Sequence, residues 1–242
     1  MALNLKAITR NTQLLPPRVM LYGPHGLGKT TFGASAPNPI FIITEDGLGQ
    51  LDVAHFPLAQ SLSDVTDALD VLIAENHQYG SVVIDSLDWL EQMIWADINS
   101  KYDAKDLAYG KGAVIAADYW RSILNSLNKL REKGMVTILL AHSQIKRFDS
   151  PEVEPYDRYQ PKLQERSAAL IQEWCDCVFF CNYRTIVASA DVGFNQSVKR
   201  GVSTGERLIY TAERPAYLAK NRYALPDTLP LSWDAFQNSL TK

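Results

Sequence analysis

The stretch that decides the fold runs from Arg18 to Thr31 and reads Arg-Val-Met-Leu-Tyr-Gly-Pro-His-Gly-Leu-Gly-Lys-Thr-Thr. An apolar, β-rich run ends in a glycine loop, and a helix is predicted from Thr30 until Pro37 stops it. The loop matches the pattern G-x-x-x-x-G-K-[ST] at every required position. Such a loop turns its backbone N–H groups towards a phosphate, and the dipole of the following helix favours the same anion. The stretch therefore predicts a binding site for a nucleoside triphosphate.

The residue types in this loop have distinct expected roles. Lys29 supplies a positive charge for the β- and γ-phosphates, and the hydroxyl of Thr30 is a ligand for Mg²⁺. The expected nucleotide-binding residues are the loop and one later aspartate, namely Gly23, Pro24, His25, Gly26, Leu27, Gly28, Lys29, Thr30, Thr31 and Asp85.

Composition predicts one α/β domain over residues 1–242 and excludes several classes of protein. The net charge of −3 gives no general attraction for nucleic acid, so any such binding needs a local patch. No apolar stretch approaches the roughly 20 residues that a membrane helix needs, and we expect a cytoplasmic protein without membrane contact. Cys175, Cys177 and Cys181 suit neither a zinc site nor paired disulfides, so they are expected on one buried strand face.

Apolar runs alternate with segments of helical periodicity, which predicts a parallel sheet covered on both faces. The predicted strands are 19–22, 40–43, 81–84, 136–141 and 177–180, and the predicted helices include 65–74 and 119–130. Further strands at 185–190 and 207–211 predict a C-terminal β-hairpin, with a long polar tip over 191–205. The predicted fold class is a mostly parallel twisted sheet flanked by helices, with this hairpin.

Acidic residues follow two of the predicted strands. Asp85 ends an apolar strand and is expected to support Mg²⁺ through water. Capping of the next helix is the alternative, and one carboxylate can do both. Glu45 and Asp46 follow strand 40–43, where a carboxylate could deprotonate the attacking water or simply belong to a turn. Spacing alone does not separate these neighbours, and Glu45 is our choice for the base.

Cations alternate with aromatic residues between Gln144 and Leu170, a pattern typical of single-strand binding. Prolines within the segment predict an irregular loop, and its acidic residues leave a plain solvated loop as the alternative. A second polar segment, 101–112, has the same two interpretations. The candidate DNA-binding residues of both segments are Lys146, Arg147, Phe148, Arg158, Tyr159, Lys162, Lys105 and Lys111.

Together with the glycine loop, four segments in this order resemble the RecA-like P-loop ATPases: 41–45, 82–86, 137–146 and 219–226. Within that class the chain looks most like the phage RecA-core single-strand annealing proteins of the Sak type. The resemblance implies that Glu45 is the catalytic glutamate and that Gln144 senses the γ-phosphate. It also implies that Lys220 and Arg222 reach the ATP of a neighbouring subunit. As an alternative, these cations protect a solvated edge strand.

The resemblance implies ATP-dependent binding and annealing of single-stranded DNA, with ATP and Mg²⁺ as ligands and hydrolysis at subunit interfaces. Expected partners are single-stranded DNA, further copies of the chain in a ring or filament, and a single-strand-binding protein. Residues 1–17 are a candidate docking arm, and residues 227–242 are expected to close the domain without a further DNA-gathering unit. The alternative function is a nucleotide-switched assembly or loading factor that acts on a protein partner.

Overall fold

The computed structural model describes residues 15–191 and 197–240, and the side chains of 187–203 are outside this description. The strands are β1 Arg18–Gly23, β2 Pro39–Ile43, β3 Ala54–His55, β4 Ser81–Asp85, β5 Val136–Phe148, β6 Tyr156–Pro161, β7 Cys177–Asp191, β8 Ser197–Tyr210, β9 Lys220–Asn221 and β10 Thr228–Pro230. The helices are α1 Lys29–Ala34, α2 Leu62–Ala74, α3 Leu87–Lys101, α4 Lys111–Glu132, α5 Glu165–Trp174 and α6 Trp233–Leu240.

The strands form one mixed sheet with the order β10-β8-β7-β1-β5-β4-β2-β3. Neighbours from β7 to β3 in this order are parallel, whereas β8 is antiparallel to β7 and β10 is antiparallel to β8. The predicted fold class is therefore confirmed, including the C-terminal hairpin. Strand β5 lies between β1 and β4, so the glycine loop and Asp85 come from strands that are not direct neighbours.

Two apolar clusters cover the opposite faces of the sheet, because successive strand residues point to opposite sides. Met20 and Tyr22 of β1 pack in the cluster that includes helices α2 to α5, whereas Val19 and Leu21 pack on the side of α1 and α6. The continuous apolar runs noted in the sequence are thus strands buried on both faces. Residues 228–240 close the second face through Trp233 and Phe236, as expected for the C-terminal segment.

Helices α2 and α4 show why these segments are helical. Ser61 and Asp64 form a capping box at the start of α2, which satisfies backbone N–H groups that have no partner within the helix. Along α4, buried side chains recur at helical spacing and include Trp120, Leu124 and Leu127. The predicted helices are shorter than the observed ones because the pattern is clear only where the apolar stripe is dense.

The hairpin and the cysteines depart from the predictions. Strand β7 runs to Asp191 and β8 begins at Ser197, so a tip over 191–205 is wrong; residues 192–196 lie outside the described part. Backbone hydrogen bonds hold the two strands together without apolar side chains. The polar composition of 191–205 therefore did not indicate that β8 begins within it. Cys177 and Cys181 share a face as predicted, but Cys175 precedes β7 and packs in the opposite cluster.

Candidate active site

The carboxyl ends of parallel strands β1, β2, β4 and β5 meet at one edge and bring the candidate residues together. In the strand register Gly23 is the partner of His142, and Ile43 is the partner of Asp85. The glycine loop, Glu45 and Asp85 therefore converge although they are remote in the chain. This edge is where open α/β sheets bind their ligands.

The glycine loop departs from β1 through positions that side chains cannot occupy. A Cβ atom added to Gly23 would lie 2.3 Å from the backbone oxygen of Cys181. Gly28 has a φ of 101°, a conformation that glycine adopts without a steric penalty. Gly23 is therefore required because the backbone of Cys181 lies too close for a side chain. Gly28 is required because of its backbone conformation.

Lys29 is held inside the loop. Its Nζ donates hydrogen bonds to the backbone oxygens of Gly23, at 3.1 Å, and Pro24, at 2.9 Å. The residue is only 6% exposed, and burial lowers the pKa of its ammonium group. Its hydrogen-bond acceptors are thus carbonyl groups of the loop itself. A bound phosphate can replace these carbonyls as the partner of the charge.

Thr30 and Asp85 form the direct link between the loop and strand β4. The Thr30 hydroxyl donates to Oδ2 of Asp85 over 2.7 Å. Burial raises the pKa of Asp85, an effect opposed by this hydrogen bond and by the charge of Lys29. A hydroxyl and a carboxylate placed together are oxygen ligands of the kind Mg²⁺ prefers, and with phosphate oxygens and water they fit that ion.

Glu45 faces this cluster, whereas Asp46 is exposed. Oε1 of Glu45 lies 3.8 Å from Nε2 of His142, and burial raises the pKa of the glutamate. Thr44, directly before it, is tied to the next strand because its hydroxyl donates to the backbone oxygen of Ser86. The base role of Glu45 stays a prediction, but its side chain is the one placed beside the other candidates.

Asp88, His142 and His25 form a cluster that includes two residues the sequence analysis left unassigned. Asp88 accepts a hydrogen bond from the backbone N–H of His142 at 3.0 Å, and its Oδ2 lies 3.0 Å from Nδ1 of the same ring. The ring of His25, in the loop, stacks on that of His142 with centroids 4.0 Å apart. The charge of His142 lowers the pKa of His25. His142 follows the apolar run 136–141 directly. A polar residue at this end of a buried strand is the sequence signal that could have indicated it.

Gln144 does not point its amide at the loop in this structure. Its Nε2 donates to the backbone oxygens of Pro161, at 3.0 Å, and Leu163, at 3.3 Å. His142, earlier on the same strand, is the residue beside Glu45. Contact of Gln144 with the γ-phosphate therefore stays a prediction. It requires the amide to give up its hydrogen bonds to Pro161 and Leu163.

Lys220 and Arg222 contact the C-terminal end of helix α5. Nζ of Lys220 donates to the backbone oxygens of Gln172, Glu173 and Cys175, at the helix end where carbonyls lack partners within the helix. Arg222 pairs with Asp176 at 3.2 Å and has a half-exposed side chain. The two cations do point the same way, as expected, but towards their own chain. Their reach to a neighbour's nucleotide stays a prediction.

We predict that Lys220→Ala lowers the free energy of unfolding by about 1–3 kcal/mol, because carbonyls at the end of α5 lose a charged donor. Chemical denaturation of the purified variant measures this loss. Lys101→Ala is the matched control: its exposed side chain contacts Asp97 and the Tyr119 hydroxyl at the surface, where the effect of a charge pair is small. Unchanged stability of Lys220→Ala would show that the lysine is not needed by its own chain.

The candidate DNA segment is a hairpin and a helix, which corrects the expected irregular loop. Residues Ser143–Phe148 of β5 pair with Tyr156–Pro161 of β6 in an antiparallel ribbon, and α5 follows. Lys146 and Arg147 are exposed on this ribbon. Prolines are compatible with this arrangement because they occupy the connection and the end of the ribbon.

Two of the candidate DNA-binding residues in this segment are held by contacts within the chain. Arg158 is 5% exposed, pairs with Glu213 at 2.8 Å and lies over the ring of Phe148. Tyr159 is half-buried and stacks on Phe180 with centroids 5.0 Å apart, so it packs against the core. Phe148 is half-buried by these partners. Periodicity could not reveal this, because Glu213 and Phe180 are remote from the segment in the chain.

The other DNA candidates are accessible. Lys162 is exposed after β6, and Lys111 is the exposed first residue of α4. Lys105 is exposed in the connection before α4, 3.7 Å from an equally exposed Asp103. Of the docking arm, Leu15, Pro16 and Pro17 line a cavity together with Val136, Tyr223 and Leu240 of the same chain, and residues 1–14 lie outside the described part.

Within residues 15–191 and 197–240, no helix combines the length and apolar character needed to cross a membrane.

Comparison with known proteins identifies a family and a distant relative. A family model described as an AAA domain matches residues 15–223. A curated relative, the SPbeta prophage-derived uncharacterized protein YorG of Bacillus subtilis (strain 168), is 22% identical over 130 residues. The match covers 52% of this chain but only 40% of the relative, so the chain spans well under half of that protein's length.

Proposed function

This chain belongs to the AAA domain family of P-loop ATPases, and we propose that it hydrolyses ATP with Mg²⁺ to control binding and annealing of single-stranded DNA. The observation that carries the ATPase part is the Thr30–Asp85 hydrogen bond of 2.7 Å beside the buried Lys29. It places a hydroxyl, a carboxylate and a cation at the end of the glycine loop. The prophage origin of the similar protein is compatible with a phage-type role.

In the proposed reaction Lys29 leaves its loop carbonyls for the phosphates, and Thr30 and Asp85 hold the metal. Mg²⁺, when bound, offsets charge that develops on the phosphates. Glu45 accepts the proton of the attacking water, for which its raised pKa is suited. Asp88 orients His142 through Nδ1, so that Nε2 is the ring atom turned towards Glu45.

Strand β5 supports the coupling to DNA. It runs from His142, beside Glu45, directly into the ribbon that exposes Lys146 and Arg147. A shift of the strand end that accompanies nucleotide turnover would therefore move these cations without an intervening loop. Cations on an exposed ribbon can contact a phosphate backbone in the way non-specific single-strand binding requires.

We predict that replacing Lys146, Arg147 and Lys162 together by alanine weakens single-strand binding and its salt dependence. The slope of log K against log salt is negative. Its magnitude should fall by about 0.7 for each phosphate contact that the substitutions remove. Fluorescence titration at several salt concentrations measures the slope, and ATPase assays with and without DNA measure the coupling. Arg158 is left intact because it is buried.

The matched control replaces three exposed cations that pair elsewhere on the surface, namely Arg121, Arg184 and Arg214. It removes the same formal charge without touching the ribbon. Equal slopes for both triple variants would contradict a specific role of the ribbon.

The second candidate is a nucleotide-switched factor with a protein partner. It is favoured by a cavity of about 850 Å³ beside Glu45, which Leu58, Trp89 and Met93 line with apolar surface. Trp89 is 43% exposed there, although large apolar side chains are usually buried in monomers. ATP hydrolysis that DNA leaves unchanged at every salt concentration would favour this function over the first.

We also propose self-association in a ring or filament, with a single-strand-binding protein as a further partner. The half-exposed Arg222 is the residue best able to reach a neighbour's nucleotide. Mixing Arg222→Ala with Glu45→Gln protein then restores some hydrolysis, because one mixed interface has both groups intact. Mixed assemblies without any recovery would contradict hydrolysis across the interface.

A further inference from the structure

Strand β8 brings an arginine to the glycine loop from the far end of the chain. Nη1 of Arg207 donates a hydrogen bond to the backbone oxygen of Leu27 over 3.1 Å. Leu27 is fully buried and lies directly before Gly28 in the loop. The guanidinium group therefore sits against the loop itself and not merely on the same side of the sheet.

The absence of a side chain at Gly28 makes this approach possible. A Cβ atom added there would be 3.0 Å from Nη1 of Arg207 and 3.8 Å from the hydroxyl oxygen of Thr31. The cation thus lies at the side of the loop where helix α1 begins, close to Gly28 and Thr31. In loops of this type the backbone N–H groups surround the α- and β-phosphates, while the lysine reaches the β- and γ-phosphates.

The backbone of Arg207 is held in place by its neighbours. Its oxygen accepts a hydrogen bond from the N–H of Leu231 at 3.1 Å, and Tyr183 of β7 is its strand partner. Strand β7 in turn pairs with β1, from which the glycine loop departs. Arg207 is therefore carried by the same sheet as the loop, so that its position is set before any ligand binds.

Within the part of the chain whose side chains are described, no carboxylate pairs with the charge of Arg207. Among the side chains described in 15–186 and 204–240, none forms an ion pair with Arg207, whereas Arg184 on the same hairpin pairs with Glu206 at 3.2 Å. A guanidinium group has five N–H donors, and the bond to Leu27 uses one of them. An exposed cation with further donors beside a phosphate loop is suited to bind an anion there.

We propose that Arg207 is a nucleotide-binding residue supplied by the same chain, which contacts the α- and β-phosphates of the bound nucleotide. The proposal rests on nucleotide binding at the glycine loop. It assigns to the β7–β8 hairpin a direct role in holding the ligand. Because ATP and ADP share these phosphates, Arg207 stabilises both nucleotides and does not act only on the transition state.

The experiment compares Arg207→Ala with Arg184→Ala, which removes one exposed arginine from the same hairpin as a matched control. Calorimetric titration gives the dissociation constants of ATP and ADP, and steady-state assays give kcat and KM. We expect Arg207→Ala to weaken both nucleotides by about tenfold to a hundredfold, the range for removal of a charged hydrogen bond. KM rises while kcat is retained, because binding is weakened equally in the ground state and the transition state.

A second variant keeps the test decisive if alanine disturbs the loop. Arg207→Gln retains an amide that can donate to the oxygen of Leu27 but removes the charge, so it should fold and still bind nucleotide weakly. Unchanged dissociation constants in Arg207→Gln would overturn the inference, as would a fall in kcat with unchanged affinity. If the wild-type chain bound neither nucleotide, the proposed function itself would be contradicted, which is a different result.

Discussion

The Lys29→Ala variant is expected to fold normally and to lose ATP turnover by a factor of about 10²–10³, the usual effect of removing one preorganised charged group. Among the residues that the structure describes, Nζ of Lys29 donates hydrogen bonds only to carbonyls of the loop, within 3.1 Å. Its removal takes a favourable charge from the buried Asp85, but the Thr30 hydroxyl still donates to that carboxylate, so the fold is expected to persist. The phosphates, by contrast, lose the cation that neutralises them during transfer.

Turnover is measured by phosphate release, and folding by circular dichroism and thermal denaturation. Lys129→Ala, on the last turn of helix α4, controls for removal of one lysine away from the site. Wild-type turnover in a folded Lys29→Ala protein would show that the glycine loop does not bind the nucleotide.

The Glu45→Gln variant is expected to keep ATP binding and to lose hydrolysis by about 10²–10⁴, the range for general-base catalysis. The amide retains the size of the carboxylate but cannot accept a proton. It can still lie near Nε2 of His142, so the site is not expected to collapse. Equilibrium binding of labelled ATP and single-turnover hydrolysis separate the two effects.

Asp46→Asn is the matched control, because the neighbouring carboxylate is exposed. Loss of hydrolysis in this variant but not in Glu45→Gln would assign the base to Asp46. The pH profile adds an independent check. Burial raises the pKa of Glu45, and the base must be deprotonated, so wild-type turnover should rise with pH through a value above the ordinary glutamate range of about 4.3.

Local patterns predicted the parts of the site whose geometry is local. The glycine loop could be assigned because its glycines, Lys29 and Thr30 act within one short stretch. Asp85 could be assigned because a carboxylate that ends a buried parallel strand emerges at the binding edge of the sheet. The apolar runs predicted the sheet because a strand that is buried on both faces is apolar at nearly every position.

The hairpin of β5 and β6 shows where local patterns fail. Lys146 and Arg158 look alike in the sequence, yet the first is exposed and the second is buried against Glu213 and Phe148. Tyr159 looked free to stack on a base but packs on Phe180 of β7. Burial depends on which remote strand covers a residue, and spacing within one segment carries no such information.

The sequence by itself determined the class of sheet, the phosphate loop and the acids that follow strands β2 and β4, because neighbouring residues and strand periodicity suffice for these. Only the tertiary structure decided that His142 lies beside Glu45, that Lys220 caps helix α5 and that Arg207 contacts Leu27. Each of these contacts joins residues that are far apart in the chain. They exist because strand order and register bring distant backbone segments together, which no short pattern encodes.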